Sequence, residues 1–137
     1  MGTVYAEITL KNAGDVINVR RGYIKEEEVR ETTVRALVDT GAGTLIINEE
    51  IRQKLGLAIQ GLRSASLANE VKEICKVTEP VEIHWKNRET ACTSLMISGA
   101  GPVLLGAIPL EDMDLIVNPA KQELVGAHGD EVVALLC

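Results

Sequence analysis

The chain contains 137 residues, 46% of them apolar, and its 14 Lys and Arg residues against 20 Asp and Glu residues leave a net charge of −6. That length predicts one domain, residues 1–137, with a core that needs neither metal nor disulfide to hold it together. No basic stripe follows a phosphate backbone and no apolar run reaches the roughly 18–20 residues of a membrane span, so we expect a cytoplasmic protein without nucleic-acid or membrane partners.

The N-terminal part of the chain is predicted to consist mainly of strands. The first residues lack the charged and apolar regions of a signal peptide. Positions 4–10 alternate apolar and polar side chains, which indicates a strand with one buried face. Residues 12–15 are expected to turn into a second strand at 16–23. The charged run 25–28 has no apolar partner face and predicts a solvated loop, and 33–38 again reads as a strand.

One helix is predicted from local signals at both of its ends. Asn48 is a good N-cap, and the two glutamates that follow it suit the first turn of a helix. Ile51 and Leu55 fall on one face, and Gly56 is a typical stop. We therefore expect a short helix between Asn48 and Gly56.

A hairpin is predicted after this helix. Two strand-like stretches, 62–67 and 71–77, flank a short segment made of Ala68, Asn69 and Glu70. Asn69 tolerates the left-handed conformation that a tight turn can require, so we place the turn there.

The rest of the chain returns to strands. Residues 109–113 predict a helical turn opened by its proline. His84 is expected on the solvent side of its strand. Further strands are predicted at 81–85, 90–97, 115–117, 123–125 and 132–136, with a short apolar run at 103–106. The fold class is therefore all-β, with one or two short helices.

The cysteines and histidines predict no metal site. Cys75, Cys92 and Cys137 are too far apart for a Cys-x-x-Cys motif and are odd in number, so reduced and mostly buried thiols are expected. Neither His84 nor His128 has a second suitable ligand nearby in sequence. A Cys–His nucleophilic pair stays open as an alternative, although nothing in the sequence places its members together.

Residues 37–43, "LVDTGAG", place a carboxylate directly after an apolar strand. A lone Asp-Thr-Gly usually marks an ordinary turn, in which the aspartate accepts backbone hydrogen bonds and the glycine supplies a positive φ. Here the triplet is followed by the short helix, the hairpin and finally an apolar-apolar-glycine turn before a helical turn. A charge at the edge of a core is expensive unless a site uses it.

With "ALVDTGAGTLII" and "VLLGAIPLEDMDLIV" in this order, the sequence resembles the retropepsin-like aspartic proteases of clan AA, in their freestanding, single-lobe prokaryotic form. The resemblance covers residues 5–125. It implies an all-β, single-lobe closed β-barrel with one or two short helices that is active as a homodimer. It also implies an aspartic endopeptidase that hydrolyses peptide or protein substrates.

The resemblance also assigns roles to individual residues. Asp39 corresponds to the catalytic aspartate, and Thr40, Gly41 and Ala42 support the active-site loop, Thr40 by hydrogen bonding across the dimer and Gly41 by allowing close backbone approach. The hairpin would be a flap over the substrate. Its contacting residues are Leu67, Ala68, Asn69 and Glu70, and the loop is buttressed by Leu104, Leu105 and Gly106.

The chemistry requires two carboxyls, one protonated and one ionised, to activate a water molecule. Because the chain carries a single Asp-Thr-Gly, a second identical subunit must supply the other Asp39. The pair shares one proton, since two adjacent carboxyls do not readily ionise together. No cofactor is needed. The apolar tail 131–137 is expected in a sheet at or near the dimer interface.

Two other interpretations stay open. A catalytically weak or silent dimeric module of the same fold could bind peptides or proteins in the same groove. A generic β-barrel interaction domain could carry the triplet by coincidence, although two motifs in the right order count against it. Two departures from the family pattern are Gly43, where a small or hydroxylated residue is more usual, and a hairpin tip without the glycines of viral flaps.

Overall fold

Strands make up most of the computed structural model, which describes residues 3–66, 69–97 and 100–134. The all-β class is therefore confirmed. Within these ranges the strands are β1 (Tyr5–Asn12), β2 (Glu31–Val38), β3 (Leu45–Ile47), β4 (Ile59–Ser66), β5 (Lys72–Thr78), β6 (Val81–Trp85), β7 (Arg88–Cys92), β8 (Ser94–Met96), β9 (Leu104–Leu105), β10 (Leu115–Asn118) and β11 (Glu123–Gly126). The helices are α1 (Ala13–Arg20), α2 (Glu49–Leu55) and α3 (Ala107–Asp112), with a 3₁₀ turn at Glu26–Glu28.

Nine strands form one sheet in the order β4-β5-β8-β3-β9-β2-β1-β6-β7, and β10 and β11 form a separate antiparallel pair. In the part of the chain that the structure describes, the edge strands β4 and β7 do not pair with each other, so the predicted closure into a barrel is wrong. β7 also makes contacts outside the sheet. Helix α3 packs beside it, and Arg88 donates to the carbonyl oxygens of Met113 and Asp114.

The core lies on the inner face of the large sheet. Val4, Ala6, Ile8 and Leu10 are all buried, as their alternation predicts, and β1 pairs with β2 on one side and with β6 on the other. Across the sheet they meet Leu45, Leu55, Val81, Ile83, Leu105 and Met113. This core fixes β2 in the middle of the sheet, where its end can present a side chain in a defined place.

The predicted helix between Asn48 and Gly56 is confirmed as α2. The Asn48 side chain accepts a 3.0 Å hydrogen bond from the Ile51 N–H, and Gly56 ends the helix in the left-handed region with φ 63°. Ile51 and Leu55 are buried.

The predicted second strand at 16–23 is wrong, because residues 13–20 form α1. Its N-cap is Asn12, whose side chain accepts from the Asp15 N–H at 3.1 Å and donates to the Leu55 carbonyl at 2.8 Å. The β-branched Val16, Ile17 and Val19 favoured a strand, but this cap outweighs their propensity.

Three other predictions need correction. The strand expected at 90–97 is split at Thr93, because β7 pairs with β6 whereas β8 pairs with β3 and β5. Helix α3 begins two residues before Pro109, which lies in the first turn, where its missing N–H needs no partner. Residues 132–134 form no strand, and Leu135, Leu136 and Cys137 lie outside the described residues.

The described part of the chain contains no helix with the length and apolar character required to traverse a lipid bilayer.

Candidate functional site

Asp39 follows directly on β2, near the middle of the large sheet. β2 runs parallel to β9, with Leu37 opposite Leu104 and Val38 opposite Leu105. The Asp39 N–H continues this ladder by donating to the Leu105 carbonyl at 3.0 Å. Two neighbouring strands therefore fix the backbone that carries this carboxylate.

The loop after Asp39 folds back on the aspartate itself. The Ala42 N–H donates to the Asp39 carbonyl at 3.1 Å, and the Gly41 N–H donates to Asp39 Oδ1 at 2.9 Å. Gly41 does not have a positive φ, so it does not play the part that a glycine has in an ordinary turn of this kind. The position favours glycine for a steric reason, because a Cβ added at Gly41 would lie 3.2 Å from Asp39 Oδ1. The loop thus orients the half-buried carboxylate.

The turn between β9 and α3 packs against this loop. The Ala107 N–H donates to the Ala42 carbonyl at 2.8 Å, and the Ile108 N–H donates to the Gly43 carbonyl at 3.1 Å. A Cβ added at Gly106 would lie 2.6 Å from the Ala42 carbonyl oxygen and closer still to that of Thr44. The structure therefore brings Leu104, Leu105 and Gly106 together with residues 39–44 in one unit.

The exposed side of the loop consists of small and polar residues. Thr40, Gly41 and Gly43 are exposed, and Ala42 is half-buried. Nothing lies within 4 Å of a Cβ added at Gly43. The surface next to the Asp39 carboxylate is therefore accessible to another molecule.

Thr44 is a further part of the site that the sequence analysis missed. Its hydroxyl donates to the Thr93 carbonyl at 3.2 Å and lies 3.9 Å from the Cys92 sulfur. Burial raises the pKa of the Cys92 thiol, although the Thr44 hydrogen bond acts in the opposite direction, so this cysteine stays protonated. No local pattern could have revealed the contact, because Thr44 and Thr93 are 49 positions apart.

The alternative of a Cys–His nucleophile finds no support among the described residues. Buried Cys75 donates a hydrogen bond to the Arg63 carbonyl at 3.2 Å, and the Cys92 sulfur accepts a long hydrogen bond from the Thr44 hydroxyl. His84 and His128 instead lie against carboxylates.

The predicted hairpin is confirmed as the antiparallel pair β4 and β5. Leu67 and Ala68 at its tip lie outside the described residues, while Asn69 and Glu70 are exposed. Of the two described residues of this turn, Glu70 is the left-handed one, with φ 64°, so the assignment of that conformation to Asn69 is wrong. The Asn69 side chain instead accepts from the Val71 N–H at 3.1 Å.

The fold and this loop together define a retropepsin-like aspartic protease domain. Residues 26–112, which include both the Asp39 loop and the β9–α3 turn, match the family model described as "gag-polyprotein putative aspartyl protease". The chain therefore belongs to this aspartyl protease family.

Two solved structures that resemble this chain are distant from it in sequence. The retroviral protease-like domain of Ddi1 from Leishmania major is 13% identical, with a TM-score of 0.52 over 91% of this chain and 88% of that one. A retropepsin-like aspartic protease from Rickettsia conorii is 17% identical, with a TM-score of 0.46 over 86% of this chain and 89% of that one. The first likeness establishes the shared fold. No curated protein matches the sequence at a significant level.

Proposed function

We propose that this protein is an aspartic endopeptidase whose catalytic pair forms when two identical single-domain subunits, each comprising residues 1–137, bring their Asp39 side chains together. The observation that carries the proposal is the anchoring of Asp39 at the end of β2 by the β9–α3 turn. Membership of the aspartyl protease family supports it. One chain carries one Asp-Thr-Gly, so the second carboxyl must come from a partner.

In the proposed reaction, the ionised carboxyl of the pair takes a proton from water while the oxygen of that water attacks the peptide carbonyl carbon. The protonated carboxyl gives its proton to the carbonyl oxygen, which produces a tetrahedral diol. One diol hydroxyl then returns a proton to the pair, the C–N bond breaks, and the leaving nitrogen takes up the proton that came from water. The pair ends with one shared proton, as it began.

Other residues complete the proposed site. The exposed hydroxyl of Thr40 would hydrogen bond across the dimer, and the small Gly41 would let the backbone approach the substrate. The turn that contains Leu104, Leu105 and Gly106 would keep the loop rigid. The backbone N–H groups of Ala107 and Ile108, which follow Gly106, donate hydrogen bonds to carbonyl oxygens of the loop. The β4–β5 hairpin, with its tip at 67–70, would close over the bound peptide.

The test is incubation of the purified protein with a diverse peptide library from acidic to neutral pH, read by mass spectrometry. We expect internal cleavage that is lost in Asp39→Asn and falls more steeply than linearly on dilution. Equal peptide binding by the wild type and Asp39→Asn, with no cleavage at any pH, would instead establish a binding module of the same fold. Full activity in a strictly monomeric species would exclude the two-subunit site.

A further inference from the structure

The outer face of the β6–β7 hairpin brings together Glu82, His84 and Glu89. His84 and Glu89 are directly opposite each other across the two strands, and Glu82 precedes His84 by two residues on the same face. His84 Nε2 lies 2.5 Å from Glu82 Oε1, and its Nδ1 lies 3.5 Å from Glu89 Oε2. Each of these three side chains offers one potential metal-ligand atom, and the three atoms all lie within 4.8 Å of one another. Among the described residues, no other group of three or more such side chains is as close together.

The hairpin holds these side chains in a fixed register. On its opposite face Val81, Ile83 and Trp85 are buried in the core. On the side away from β7, β6 pairs with β1, where Thr9 is opposite His84. A site on such a scaffold loses little freedom when it binds a ligand.

We propose that Glu82, His84 and Glu89 bind a divalent transition-metal ion of the zinc class. One imidazole and two carboxylates are a donor set that zinc and its neighbours accept. Around a tetrahedral zinc with bonds of about 2.0–2.1 Å, ligand atoms lie roughly 3.4 Å apart. In the structure the two carboxylates face different nitrogens of the His84 ring. Metal binding therefore requires the imidazole and the Glu89 side chain, which is 66% exposed, to rotate until one ring nitrogen and both carboxylates face the ion.

The charges around the cluster favour a cation. Two carboxylates share one imidazole, whereas the neighbouring ammonium groups are engaged elsewhere. Lys11, opposite Glu82 in register, lies 4.0 Å from Glu31, and the Lys86 ammonium lies 4.7 Å from the centre of the Trp85 ring. A divalent ion would neutralise the excess negative charge.

A groove lies on one side of His84, and neither Glu82 nor Glu89 lines it. Its volume is about 450 Å³, and its walls include Tyr5, Glu7 and Thr9 besides His84. A metal held by three protein side chains next to this groove keeps one position open to water or to a small anionic ligand, as open zinc sites do.

This site is separate from the proposed catalytic loop. His84 is opposite Thr9, which is opposite Thr33 on β2, and Asp39 lies six residues further along that chain. At about 3.3 Å per residue, the two sites are roughly 20 Å apart. Metal binding at the hairpin can therefore be tested independently of peptidase activity. The amino-acid pattern did not predict this site, because Glu89 comes next to His84 only when β6 pairs with β7.

The test is a titration of the intact protein with Zn²⁺, in which the ¹⁵N resonances of the two imidazole rings are measured by NMR at each step. We expect the His84 ring signals to shift at one equivalent and those of His128 to stay unchanged, because His128 has one carboxylate neighbour, Asp114 at 2.7 Å. Glu82→Gln and Glu89→Gln should each weaken this binding on the order of tenfold or more. Glu27→Gln, at an exposed glutamate of the 3₁₀ turn, and His128→Gln are the matched controls and should bind as tightly as the wild type.

Two results would overturn the proposal. One is a His84 ring that does not respond to excess Zn²⁺. The other is a Glu89→Gln variant with unchanged affinity, which would leave His84 as a histidine that only bridges two glutamates. Since Glu89 is exposed, this variant should fold even if changes at His84 do not.

Discussion

Gly106 lies so close to Ala42 that a Cβ added at Gly106 would come within 2.6 Å of the Ala42 carbonyl oxygen. Gly106 has an extended backbone, with φ −94° and ψ −174°, which any residue can adopt. Space and not conformation therefore requires glycine here. The close contact makes the β9–α3 turn part of the same rigid unit as the loop that carries Asp39.

Gly106→Ala should consequently damage both stability and the proposed activity. The methyl group must push apart two backbone segments, so we expect the free energy of unfolding to fall by about 1–3 kcal/mol. The matched control is Gly43→Ala in the same loop, where the added methyl meets nothing within 4 Å. That variant should be neutral or more stable by about 0.4–1 kcal/mol. Urea unfolding of both proteins measures the difference, and equal stability would contradict the packing argument.

The sequence predicts secondary structure well where the signals are local. The helix α2 follows from Asn48 and Gly56, which cap it within the segment itself. Two short motifs mark the loop at Asp39 and the turn at Gly106. The contact between these two segments could be predicted only from the family resemblance, because their spacing in the sequence does not show which turns pack together.

The incorrect secondary-structure and barrel predictions concern places where contacts with distant parts of the chain determine the structure. Val16 and Ile17 favour a strand, but Asn12 caps a helix there and also donates to the Leu55 carbonyl, 43 positions away. The family resemblance implied a closed barrel, but β4 and β7 lie at opposite ends of the sheet, and the Arg88 side chain of β7 donates to the carbonyl oxygens of Met113 and Asp114, 25 and 26 positions away. No local periodicity encodes either contact.

The Asp15–Arg30 ion pair predicts a pH-dependent contribution to stability. The Arg30 guanidinium donates two hydrogen bonds of 2.9 Å to the Asp15 carboxylate, and the Arg30 N–H donates a third at 3.0 Å. The side-chain bonds lower the pKa of Asp15 from its ordinary 3.8, while burial acts in the opposite direction. The folded state therefore binds this proton less readily than the unfolded state. The stabilisation is complete above pH 3.8 and is lost as the pH falls through the folded pKa.

Asp15→Asn should accordingly be less stable than the wild type at pH 7, and the gap should narrow as the pH is lowered below 3.8. Urea unfolding at a series of pH values measures it. Asp130→Asn, at an exposed aspartate, is the control and should track the wild type. A gap that stays constant down to strong acid would show that the asparagine acts by another route.

Arg88 predicts a local effect on the C-terminal part of the fold. Its side chain is buried, and its guanidinium donates to the carbonyl oxygens of Met113 at 2.9 Å, Asp114 at 2.6 Å and Gly129. Arg88→Met would leave these acceptors without their donor, which costs about 1–3 kcal/mol or more. We expect faster amide exchange in β10 and β11. Arg35→Met removes an exposed guanidinium that stacks on Tyr5 and should leave that exchange unchanged.

An outcome in which Arg88→Met exchanges its β10 and β11 amides at the wild-type rate would contradict this role. Should the variant fail to fold, Arg88→Lys is the substitute. Its single ammonium keeps the charge but cannot reach three carbonyl oxygens in the fixed geometry of a guanidinium. Its exchange rates should then lie between those of the wild type and a fully released segment.

Subunit mixing with Asp39→Asn gives the sharpest test of the shared catalytic pair. The amide keeps the shape of the side chain, and its oxygen can still accept the 2.9 Å hydrogen bond from the Gly41 N–H, so folding and dimerisation should survive. The homodimeric variant cannot hold an ionised carboxyl, and its peptidase activity should fall by orders of magnitude. In an equal mixture that exchanges freely, about one quarter of the dimers carry two aspartates. Activity at constant total protein should therefore follow the square of the wild-type fraction. A linear decrease would mean that each subunit works alone, and an unchanged activity in pure Asp39→Asn would remove Asp39 from the chemistry altogether.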